Sequence, residues 1–141
     1  MMTGTDEIDR ATTFYECGAY CSQAILMTFC ERYGLDTDTA FRLSCGLNSG
    51  VRCAEACGAV TGAVLVIGLK YGSSSDECNV RTEEFIRLFR ERNGSVVCRD
   101  IIGCDIFTPE GRDRAVRDGL FGTVCRDAVA DAARILTELG Y

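Results

Sequence analysis

The chain of 141 residues carries ten cysteines and no histidine. What it can do chemically therefore rests on sulfur, because thiolate is both the nucleophile of disulfide exchange and the ligand of soft metals. Lack of histidine removes the usual general base and argues against cysteine-protease, histidine-dependent hydrolase and mixed His/carboxylate metal mechanisms. No C-x-x-C occurs, which argues against a thioredoxin-like dithiol and a zinc ribbon, both of which need two sulfurs delivered by one local turn. The phosphate loops GxxxxGK[ST] and GxGxxG are missing as well. Any thiol site here has to be assembled by the fold.

Four cysteines share a position relative to the elements around them. Cys21 follows Gly18, Cys57 follows the loop GLNSGV, Cys98 follows Gly94-Ser95 and Cys125 follows Gly122-Thr123. Each is predicted in or near the first turn of a helix. Unpaired N–H groups and the positive end of the helix dipole favour negative charge there, so a thiol would fall below its free value of about 8.5. The competing reading is packing, since free cysteine is a small hydrophobe that is often buried; it is the stronger one for Cys17, Cys30, Cys78 and Cys104 taken singly. Cys17/Cys21 and Cys53/Cys57 are spaced i, i+4. Either pair would share a face only if one helix ran through both members.

The elements that must position these thiols read as helices. Apolar residues recur three and four apart and alternating β-branched stretches are few, so the expected fold is all-α, a single domain over residues 1–141 built as a compact bundle of about five to six helices. The predicted helices run from about Asp6 to Cys17, Cys21 to Tyr33, Asp38 to Cys45, Ala54 to Tyr71, Asn79 to Arg92, Cys98 to Ile102 and Thr123 to Leu139. The segment GCDIFTPEGRD reads as loop. The Ala54 to Tyr71 helix is apolar nearly all round and contains Gly58, Gly62 and Gly68. Each glycine costs roughly 1 kcal/mol relative to alanine inside a helix, which close approach of a neighbouring helix would offset.

Composition narrows the partners. Hydrophobic residues make up 47% and charged residues 26% of the chain, as in a folded globular domain. The formal net charge of -6 argues against nucleic acid and anionic membrane surfaces, which require a basic face. The longest apolar run is short of the roughly 20 residues of a membrane span, and the acidic start MMTGTDEIDR has no secretory pattern. A cytoplasmic location is expected, where dense cysteine serves metal binding or redox chemistry more often than a disulfide framework.

GAYCSQAIL (18–26), CGAVTGAVLVIGLKYG (57–72), FRERNGSVVCRDIIG (89–103) and VCRDAVADAARIL (124–136), in that order, resemble the family named for its cysteine signature, C_GCAxxG_C_C. The resemblance implies a small, mainly helical protein held to be redox-active, with its hallmark cysteines on Cys21, Cys57, Cys98 and Cys125. Those are the four reached above from helix starts. It supplies no substrate, and Cys17, Cys30, Cys45, Cys53, Cys78 and Cys104 lie outside the signature. Were Cys45 and Cys53 to sit beside Cys57, a site richer in sulfur would result.

Two readings of the four follow. In the first they are catalytic thiols exchanging with a redox partner protein or a small thiol, no cofactor being needed; Cys57 and Cys98 would be the low-pKa members, and at least one sulfur must be reachable from solvent. In the second, Cys21, Cys57, Cys98 and Cys125 close an all-sulfur metal site for zinc or an iron–sulfur cluster.

Overall fold

The apolar segment after Cys57 forms a largely buried helix. A computed structural model describes residues 4–141; the first three residues of the acidic start lie outside the described residues. Among the described residues eight α-helices follow one another: α1 (Gly4–Glu16), α2 (Cys21–Phe29), α3 (Thr37–Leu43), α4 (Gly58–Tyr71), α5 (Ser75–Asn93), α6 (Cys98–Ile102), α7 (Pro109–Arg117) and α8 (Val124–Glu138). Short 3-10 turns, Cys30–Tyr33 and Cys45–Leu47, follow α2 and α3. Among the described residues there is no strand, only an isolated antiparallel bridge between Ala56 and Val97. The fold is all-α: each of the seven predicted segments contains a helix and α7 is added to them, against the five to six helices expected of the bundle.

Three differences from the expected elements have local causes. Residues 103–113 are loop only as far as Thr108, whose Oγ1 accepts a hydrogen bond from the Gly111 N–H at 3.1 Å. Pro109 then occupies the first helical position, so Thr-Pro-Glu is a helix start with both of its usual signals. Helix α5 begins earlier than Asn79 because Ser74 Oγ accepts from the Glu77 N–H at 3.4 Å, and Asp76 and Glu77 suit the positive end of the dipole. Helix α4 begins later than Ala54, because Ser49, Gly50, Val51, Arg52 and Ala54 all have positive φ. That backbone cannot be right-handed helix.

The core lies between α2, α4, α5 and α8, with α1 across α8. Its largest enclosed side chains include Phe29, Phe85, Phe89, Ile25, Ile67 and Leu136. Polar residues on α2 fix its place. Buried Gln23 accepts at Oε1 from the Tyr20 N–H at 2.9 Å and donates from Nε2 to the Phe41 carbonyl at 2.9 Å. Buried Ser22 donates to the Ser44 carbonyl at 2.8 Å. These bonds satisfy groups whose burial would otherwise cost about 1–3 kcal/mol each.

Helices α2 and α4 approach so closely that two glycines of α4 have no room for a side chain. A Cβ on Gly62 would lie 2.7 Å from the Ser22 carbonyl oxygen, and one on Gly58 would lie 2.6 Å from Cys21 Sγ. Nothing stands within 4 Å of a Cβ on Gly68. In urea unfolding followed by far-UV circular dichroism, Gly62→Ala is expected to lower stability by about 1–3 kcal/mol through overpacking. Gly68→Ala is expected to raise it by about 0.5–1 kcal/mol through helix propensity.

Candidate functional site

Four separate helix starts hold the four signature thiols. Cys21 and Cys98 are the first residues of α2 and α6, Cys57 is the residue before α4, and Cys125 is the second residue of α8. All four line a single cavity of about 600 Å³. Its other walls are largely apolar, with Ile101, Ile102, Ile106 and Phe121 among them, together with Tyr15 and Arg112.

Backbone contacts bring these starts together. The missing side chain of Gly58 lets the beginning of α4 press against Cys21. Next to it, the Cys57 N–H donates to the Val96 carbonyl at 2.8 Å and the Cys98 N–H donates to the Glu55 carbonyl at 2.5 Å. This short antiparallel bridge clamps the start of α4 to that of α6. Cys125 is brought in by the packing of α1 on α8. There Tyr15 of α1 donates from its hydroxyl to the Phe121 carbonyl at 2.7 Å and also interacts with the Cys125 thiol.

A left-handed turn completes the enclosure. Ser49 (φ 54°), Val51 (φ 57°) and Arg52 (φ 61°) flank and follow Gly50 (φ 65°), and Ala54 (φ 60°) is left-handed too. Each non-glycine residue in that region costs on the order of 1–3 kcal/mol and needs surroundings that enforce it. Enforcement comes from the Glu55 N–H, donating to the Gly50 carbonyl at 3.0 Å. Arg52 donates to Asn48 Oδ1 at 3.0 Å, and Arg112 donates to Ser49 Oγ at 3.1 Å. The turn directs the Ser49 N–H toward the Cys21 sulfur, and a Cβ on Gly50 would lie 2.9 Å from that of Cys98.

Burial decides the charge state of these thiols. Cys98 is pushed up to about 11, first by burial and then by the Cys21 charge, against the pull of Arg112 and Arg99. Cys125 is pushed up to about 12 by burial, then by the charges of Cys21 and Cys98, with Tyr15 opposing. Burial also raises Cys21, although the N–H groups of Ser22, Cys21, Ser49 and Gly58 pull the other way. Burial and the Cys21 charge raise Cys57 far above the ordinary thiol range. The expectation that Cys57 and Cys98 are low-pKa thiols is therefore overturned: they occupy helix starts, but loss of hydration outweighs a dipole worth at most about 2 kcal/mol. Cys57 is 7% and Cys98 8% exposed.

The remaining cysteines do not line the cavity. Cys17 and Cys45 are exposed and Cys30 is buried in the main core. Cys53 interacts with the Gly50 carbonyl at 3.3 Å inside the strained turn. Neither i, i+4 pair shares a helix, because α1 ends at Glu16 and α4 begins after Cys57. Arg99 pairs with Glu55 at 2.7 Å and Arg126 with Glu16 at 2.5 Å, so each cation is already matched by a carboxylate. Among the described residues no group of three or more Cys, Asp or Glu side chains is placed to hold one metal ion. Tyr15, Ser49 and Arg112 are cavity residues that the sequence did not single out. Nothing local marks them, since each reaches the site only through tertiary packing.

The family model described as "Putative redox-active protein (C_GCAxxG_C_C)" matches residues 19–139. The chain belongs to this family. The matched range takes in Cys21, Cys57, Cys98 and Cys125 and the glycine-rich start of α4. No curated protein and no solved structure matches the chain. Among the described residues no helix is long and apolar enough to cross a membrane.

Raised thiol values link protonation to stability. Cys98 and Cys125 keep in the folded chain protons that the unfolded chain releases near the ordinary value of 9.0. The stability they contribute is whole below pH 9.0 and is lost as pH rises through about 11 and 12. Urea midpoints of the reduced protein, held with chelator, should therefore fall above pH 9. At neutral pH, iodoacetamide should label the exposed Cys17 and Cys45 well before the four enclosed thiols, as read by peptide mass spectrometry.

Proposed function

We propose that the chain is an electron carrier whose four enclosed cysteines store and return electrons as thiols and disulfides. The observation that supports this most directly is that four helix starts, far apart in sequence, present their thiols to one cavity. Oxidation of a thiol pair forms one S–S bond and releases two electrons and two protons. Because burial keeps these thiols protonated, protons leave together with the electrons. Cys21 and Cys57 form the inner pair in this reading, since the close approach at Gly58 brings the starts of their helices together. Cys98 and Cys125 connect that pair to the rest of the cavity wall.

A second reading rests on the size of the cavity and the N–H groups aimed at its sulfurs. Cys21, Cys57, Cys98 and Cys125 as thiolates would hold an iron–sulfur cluster, which when bound supplies one-electron transfer. The N–H groups of Ser22, Ser49 and Gly58 at Cys21, and of Ala59 and Val60 at Cys57, would stabilise thiolate ligands. The largely apolar walls would keep water from them.

Purification without oxygen separates the two. Under the first reading, the protein carries no stoichiometric iron, acid-labile sulfide or zinc. It reversibly loses two or four thiols on mild oxidation, and Cys57→Ser removes at least one pair. Stoichiometric iron and sulfide with visible absorption, lost in Cys21→Ser or Cys98→Ser, would replace the first reading by the second. A metal-free protein whose four thiols resist oxidation would refute both.

A further inference from the structure

We propose that the thiol cavity is also the binding site of a low-mass organic acid, a monoanion with an apolar body whose carboxylate is held by Arg112.

The charges on the cavity wall do not cancel. Its lining includes the charged side chains Glu16, Arg112 and Arg126. Glu16 and Arg126 pair with each other at 2.5 Å, so both are matched. Arg112 is not, since among the described residues no carboxylate forms an ion pair with it. Arg52 and Arg90 have no such partner among the described residues either, but both are exposed, whereas Arg112 is half-buried. A cation partly withdrawn from water without a counter-charge costs free energy. Its position leaves one uncancelled positive charge on a largely apolar wall.

Two contacts hold the guanidinium in place. Nη2 donates to Ser49 Oγ at 3.1 Å, and Cζ lies 5.7 Å from the centre of the Phe121 ring. Ser49 and Phe121 line the cavity too. One bond to a neutral hydroxyl leaves most of the five donors of the planar fork for a further acceptor, and that fork matches a carboxylate. Because the side chain is already positioned, little of its freedom would be lost on binding. A neutral donor could bond Ser49 equally well, so the turn alone does not account for a charge at this position.

Size and access suit a small acid. The cavity of about 600 Å³ lies within the range of about 300–1,000 Å³ typical of small-molecule sites. Tyr20 and Val116 line it although they are 47% and 66% exposed, so the wall reaches the surface there. Ile101, Ile102 and Ile106 offer the ligand body an apolar face. One unmatched cation balances one negative charge, and a chain of formal net charge -6 repels a multiply charged anion such as a nucleoside phosphate.

The test compares two probes of the same shape, naphthoate and its uncharged isostere naphthamide. Each is titrated without oxygen into the reduced full-length protein, and the methyl resonances of Ile101, Ile102 and Ile106 are followed by NMR. Naphthoate should shift these methyls saturably and bind about tenfold or more tightly than naphthamide, as expected of a charge-assisted bond. Arg112→Gln should reduce naphthoate to the affinity of naphthamide while leaving naphthamide unchanged, and Arg112→Lys should restore part of the difference. Circular dichroism checks that both variants are folded; the ratio of the two probes in the wild-type protein decides the matter even if neither is. Equal affinities of the two probes for the wild-type protein, or isoleucine methyls that do not respond to naphthoate, would overturn the anion site. Neither result touches thiol exchange, which is read from thiol counts.

Discussion

The close approach of α2 and α4 is the constraint on which the rest of the architecture depends. Glycine at positions 58 and 62 lets the α4 backbone rest on Ser22 and on the Cys21 sulfur. Any larger residue would push the two helices apart and widen the gap between the starts that carry Cys21 and Cys57. The buried polar bonds of Ser22 and Gln23 then tie α2 to the segment after it, so the contact is held from both sides. The glycines weaken α4 as an isolated helix, and packing offsets that loss. Gly68 makes no such contact, and nothing in the structure explains its choice.

Around this contact the chain accepts local strain in order to enclose sulfur. Four non-glycine residues between Ser49 and Ala54 adopt left-handed backbone, a conformation that no local preference favours. They are kept there by Arg52, by Arg112 and by the main-chain bond from Glu55 to Gly50. The turn leads directly into the bridge that joins Glu55–Cys57 to Val96–Cys98. One stretch of backbone thus turns the Ser49 N–H toward Cys21, presses Gly50 against Cys98 and delivers Cys57. Strain concentrated at the rim of a cavity is the pattern expected where geometry matters more than local stability.

Two opposing electrostatic effects meet at these thiols. Helix starts supply N–H groups and a favourable dipole, and these lower the thiol values; burial and mutual repulsion raise them, and they prevail. The outcome is a set of neutral thiols prearranged for a change of state. Forming disulfides would leave no thiol to ionise in the enclosed site, whereas ligation would draw on the same N–H groups. Both readings of the site therefore use features already present, and they differ in whether sulfur bonds to sulfur or to metal.

Much of this was legible in the order of the residues, because helix periodicity, glycine stops and thiols after glycine turns are local signals. The all-α class, the extent of α6 and the attachment of Cys21, Cys57, Cys98 and Cys125 to helix starts could all be read that way. So could α7, since Thr108-Pro109-Glu110 is a complete start signal that the loop reading passed over. Enclosure could not be read from the sequence. Tyr15, Ser49 and Arg112 reach the cavity across long sequence separations, and the left-handed run from Ser49 runs against local preference. Burial, which sets the charge of each thiol, is a property of the whole packing. The sequence by itself determined which sulfurs begin helices; only the tertiary structure decided that they line one cavity, largely removed from water, because desolvation depends on neighbours that the chain supplies from many places at once.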